Sequence, residues 1–71
     1  MRGKTKAIYQ HLQEHGSITS WEAFECYGAT RLSSIIYNLK RTYNINIATQ
    51  SVLVKDRYGS TVNIAKYILE D

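Results

Sequence analysis

No proline occurs in this chain of 71 residues, so its sharpest breaks must fall at glycine, and Gly16 and Gly28 divide its first half into short segments. Glycine enters the left-handed conformation that ends a helix without a Cβ clash. From Lys4 to His15 the residues Ala7, Ile8, His11 and Leu12 recur at helical spacing, which predicts a first helix stopping at Gly16. Ser17, Ile18 and Thr19 then read as a short extended bridge. Thr19 and Glu22 match a capping box, in which each side chain satisfies a free amide of the first helical turn. Ile18 before the cap and Ala23 after it form a hydrophobic staple. A second helix is expected from Ser20 to Tyr27, with Ala23, Phe24 and Tyr27 on one face and Gly28 as its end.

Only Ala29 separates Gly28 from Thr30, the expected N-cap of a third helix running to about Arg41. Leu32, Ile35, Ile36 and Leu39 stand there at i, i+3, i+4 and i+7, the clearest amphipathic stripe in the sequence. The opposite face, Arg31, Ser33, Ser34, Tyr37, Asn38 and Arg41, is polar. From Ile45 the composition turns to β-branched and aromatic residues. Two strands are expected around the turn Asp56-Arg57-Tyr58-Gly59, with Asp56 capping it. The predicted fold is α+β: three helices followed by a β-hairpin wing, the order of a winged helix-turn-helix, in a single domain spanning 1–71.

Composition narrows the partners. Nine lysines and arginines oppose six acids, for a net charge of +3. Two of those acids are Glu70 and Asp71 at the end of the chain. Without them nine bases face four acids, a charge of +5. The bases gather at Arg2, Lys4 and Lys6, at Arg31, Lys40 and Arg41, and at Lys55, Arg57 and Lys66, a balance that suits a polyanion. The single cysteine, Cys26, excludes an internal disulfide, and no signal-peptide pattern is present. Both features predict a reducing, cytoplasmic setting. No apolar run of about 20 residues is available to span a bilayer.

A helix-turn-helix sets its second helix so that the solvent face enters the major groove. On that face Arg31, Ser34 and Asn38 are the candidates for base edges, since guanidinium pairs with guanine and carboxamide with adenine. Thr30, Ser33, Tyr37 and Arg41 are candidates for the phosphate backbone, and Lys55 and Arg57 for contacts from the wing. Duplex DNA is the expected partner and no cofactor is expected.

The stretches His15-Gly16-Ser17-Ile18-Thr19-Ser20, Glu22-Ala23, Tyr27-Gly28-Ala29-Thr30-Arg31-Leu32-Ser33 and Ile36-Tyr37-Asn38-Leu39-Lys40 resemble the short winged helix-turn-helix proteins of bacteriophages and prophages. The likeness continues in Tyr43-Asn44-Ile45, Asp56-Arg57-Tyr58-Gly59 and Ala65-Lys66-Tyr67. It implies a winged fold, DNA binding and a phage setting, as a small transcriptional regulator or an excisionase-like architectural factor. The hairpin departs from the basic pattern expected of a wing, with Ser60, Thr61, Val62 and Ile68. Val62, Ile64 and Ile68 alternate with Ala65, Tyr67 and Leu69, so both faces of the last strand are apolar and a homodimer contact is one expectation.

Other chemistry finds little support. His11 and His15 are spaced i, i+4, but Glu14 is misplaced for the zinc-protease motif and a core role for His11 is expected instead. No phosphate loop or catalytic carboxylate pair is recognisable, so no enzymatic activity is expected. Trp21 and the six tyrosines are expected mainly to pack. The alternative is a protein-interaction module that engages or inhibits a host protein, with Trp21, Tyr37 and Tyr58 as anchors.

Overall fold

The computed structural model describes Met1 and residues 3–70; Arg2 and Asp71, both counted in the charge, lie outside the described residues. The elements are α1 (Gly3–His15), β1 (Ser17–Thr19), α2 (Ser20–Tyr27), α3 (Leu32–Thr42), β2 (Ile47–Lys55) and β3 (Thr61–Leu69). The α1 helix buries Ile8, His11 and Leu12, one face at i, i+3 and i+4. It stops where the Gly16 amide donates to the Leu12 carbonyl at 2.7 Å.

The bridge after Gly16 does more than connect. Ser17, Ile18 and Thr19 pair antiparallel with Ile68, Tyr67 and Lys66, so the sheet has three strands in the order β1-β3-β2 rather than the two of a free hairpin. β1 supplies partners to an edge of β3 that would otherwise leave amides and carbonyls unpaired beside the core. Three residues are too few to show the alternation by which a strand is read.

At the start of α2 the capping box forms as expected: Glu22 N–H donates to Thr19 Oγ1 at 3.1 Å and Thr19 N–H to Glu22 Oε1 at 2.9 Å. Ile18 and Ala23, the expected staple, are both fully buried. Gly28 ends α2 with φ 64°. Its amide donates to the Phe24 carbonyl and that of Ala29 to Ala23. Tyr27 packs against the core, but Phe24, expected on the same face, is 59% exposed and does not. Ala29, in the turn between α2 and α3, is buried.

α3 begins later than expected. Arg31 and not Thr30 is the N-cap, and no side chain caps the helix. Because Ala29 is drawn into the core, two further residues bring the chain out before helical geometry begins. Leu32, Ile36 and Leu39 are buried and Ile35 packs beside them. The chain leaves α3 at Asn44, whose φ of 55° makes it a non-glycine helix stop. Ile45, expected in a strand, instead donates its amide to the Leu39 carbonyl.

The core closes with Ile18, Ile47 and Tyr67 from one sheet face against Ile8, Leu12, Ala23, Leu32, Ile36 and Leu39 from the helices. Burial of each large aliphatic side chain contributes about 1.5–3 kcal/mol. On the opposite face Val52 pairs with Ile64 and Val54 with Val62, all half-buried. The nine-residue strands run about 30 Å, beyond the 22 and 20 Å short axes of the molecule, and the distal hairpin projects from the core. At its tip Asp56 Oδ1 accepts from the amides of Tyr58 and Ser60 at 2.9 and 3.0 Å.

Candidate nucleic-acid interface

At 3.6 residues per turn, the stripe opposite Leu32, Ile36 and Leu39 is Ser34, Tyr37 and Arg41, and all three are exposed. Ser33 and Lys40 flank it on the sheet side, Arg31 and Asn38 on the other. Ser33, Tyr37, Lys40 and Arg41 line a groove whose far wall is Thr49 of β2 and Tyr67 of β3. Thr49 and Tyr67 are register partners, so sheet pairing fixes that wall. A second groove shares Ser33 and Tyr67 and continues past Thr30 and Leu32 to Ser20 and Phe24.

Three of the residues expected at the interface, Ser33, Tyr37 and Arg41, thus come together, with Thr30 in the adjoining groove. Arg31 and Ser34 are exposed outside these grooves. Asn38 is half-buried and its carboxamide oxygen accepts from Thr42 Oγ1 at 2.7 Å, which competes with paired recognition of a base. Lys55 is exposed at the end of β2. Arg57 lies at the hairpin tip in a different groove, with Trp21, Phe24 and Tyr58. Lys40, Thr49 and Tyr67 were not expected at the site. Lys40 is legible as i+7 from Ser33, whereas Thr49 and Tyr67 arrive only through strand register.

The Arg41 guanidinium stands 6.0 Å from the centroid of the Tyr37 ring, a contact worth about 0.5–1 kcal/mol at an exposed site. It keeps both side chains on the outer stripe. Between Glu25 and Asp56 the sequence contains no acidic residue, so α3 and β2 carry positive charge alone. Among the described residues the approaches of a basic side chain to a carboxylate within 4 Å are His11–Glu22 and His15–Glu14, neither on α3. No helix among the described residues is long and apolar enough to cross a membrane.

His11 belongs to the helix packing, whereas His15 is exposed at the end of α1. His11 is buried, with Nδ1 2.8 Å from Tyr27 Oη and Nε2 3.9 Å from Glu22 Oε2. The Tyr27 hydroxyl is held above its ordinary pKa by burial first, then by the negative charges of Cys26, Glu14 and Glu22. Trp21, expected to pack, instead lies on the exposed side of α2, and Tyr37, Tyr43 and Tyr58 are exposed as well.

No curated protein and no solved structure gives a match to the chain. A family model described as a winged helix-turn-helix domain matches residues 3–71. The match agrees with three helices, a tight α2–α3 turn and a projecting hairpin, and this architecture suggests DNA as the partner. The chain belongs to the winged helix-turn-helix domain family.

Proposed function

We propose that the protein binds duplex DNA with α3 in the major groove and the hairpin alongside, as a small phage or prophage transcriptional regulator or an excisionase-like architectural factor. The observation that carries this reading is the outer side of α3: an exposed polar and basic stripe, with no acidic residue between Glu25 and Asp56. In this docking Arg31, Ser34 and Tyr37 face base edges, and Lys40, Arg41 and Thr49 follow the phosphates on the sheet side. The α3 N-terminus has no side-chain cap, which leaves first-turn amides beside the Thr30 and Ser33 hydroxyls for a phosphate. Lys55 extends the positive edge along the hairpin. The phage setting rests on the sequence resemblance.

Selection of bound sites from a random duplex library, followed by fluorescence anisotropy on the selected site across a salt series, tests the reading. A defined site, with affinity falling steeply as salt rises, is the expected result. Absence of salt-sensitive affinity for any duplex, together with stable retention of a host protein, would overturn it in favour of an interaction module.

A further inference from the structure

We propose that the groove between α2 and the hairpin tip docks a cationic, apolar peptide segment of a partner protein. Its volume is about 610 Å³, and Trp21, Phe24 and Glu25 of α2 face Asp56, Arg57 and Tyr58 across it. The three aromatic rings are 37%, 59% and 86% exposed for Trp21, Phe24 and Tyr58. Aromatic side chains of this kind are the ones that dominate binding energy when a partner covers them. The turn backbone that carries Tyr58 is fixed by the bond from its amide to Asp56 Oδ1, which lowers the backbone ordering cost of binding.

Charge selects the occupant. α2 contains Glu22 and Glu25 and no lysine or arginine. In the groove Glu25 and Asp56 outweigh Arg57, so a chain of net charge +3 is locally negative here. Such a lining favours a cation over a phosphate backbone. An arginine or lysine lays its stem along the rings, its charge over a ring face, and its donors on Glu25. The groove shares Phe24 with the one that runs past Thr30 and Ser33, but none of its lining residues belongs to α3, and it does not depend on the DNA reading.

Trp21 is the one tryptophan of the chain, so its fluorescence reports the groove. The full chain is titrated with a short peptide of alternating arginine and leucine, and with a counterpart carrying glutamate for arginine. A saturable change with the basic peptide and none with the acidic one is expected. Glu25→Gln and Tyr58→Ala should each weaken binding by about tenfold or more, with circular dichroism unchanged. Equal response to both peptides, or no effect of either substitution, would overturn the proposal. So would a concentration-dependent change without peptide, which would mark a second copy as the occupant.

Discussion

His11 Nδ1 and Tyr27 Oη meet at 2.8 Å, the one side chain-to-side chain hydrogen bond between two helices among the described residues, and their rings stand edge to face at 5.6 Å. α1 and α2 are thereby tied at the end of α2 that leads into the turn before α3. Tyr27→Phe keeps the ring and removes the oxygen, leaving a buried imidazole nitrogen without its partner. The expected cost is about 1–3 kcal/mol, read as a lower urea midpoint at unchanged slope.

The same hydroxyl gives the fold an alkaline limit. Burial, reinforced by Cys26, Glu14 and Glu22, raises the Tyr27 pKa above its ordinary 10.0, so the folded state holds the phenolic proton more tightly than the unfolded chain does. That contribution is complete below pH 10 and is lost as pH rises through the raised value. Urea midpoints followed from neutral pH to above pH 10 should fall for the native chain. The corresponding fall should be shallower in Tyr27→Phe, which has no proton to lose there.

Gly28 controls the turn between α2 and α3 by conformation alone. Its φ is 64°, and a Cβ built there meets nothing within 4 Å, so Gly28→Ala is opposed by left-handed backbone strain and not by a clash. The expected loss is about 1–2 kcal/mol. Gly28→Asn should lose less, since asparagine tolerates this region. Thermal unfolding of the two variants separates the readings: equal losses would mean that the backbone angle is not the cause.

What the sequence discloses about this fold is what is local. Gly16, the Thr19–Glu22 box, Gly28 and the Leu32-to-Leu39 stripe each act within a few residues, and each gives the element it predicts. The pairing of β1 with β3 joins Ile18 to Tyr67, and nothing near either residue announces the other. The same distance hides Thr49 and Tyr67 from the α3 groove. Phe24 misleads for a related reason: its helical spacing suits a core face, but Ala23 and Tyr27 turn to the core while Phe24 is left exposed. Asn44 shows that a stop can be present without glycine. Among the candidate contacts, the outer stripe was legible because helical period alone places Ser34, Tyr37 and Arg41 opposite the buried residues. The capacity of Asn38 was not, because its bond to Thr42 is a matter of rotamer.

That bond and the Arg41–Tyr37 contact divide the expected effects on DNA binding. Lys40 flanks the groove beside Thr49 and is assigned to phosphate, so Lys40→Ala should weaken binding evenly across sequences and lower the salt slope by about 1. Arg31→Ala should cost about 1–3 kcal/mol on the selected site and relax preference at one base pair. Asn38→Ala should cost less than Arg31→Ala, because its oxygen is already engaged by Thr42. Tyr37→Ala removes the ring beneath Arg41 and should weaken binding through both side chains, so that adding Arg41→Ala produces less than the sum of the two single losses. Anisotropy titrations of the single and double variants at two salt concentrations measure all four. Full additivity of Tyr37 and Arg41 would show that they act separately, and unchanged affinity after replacing Lys40 and Arg41 together would remove α3 from the DNA.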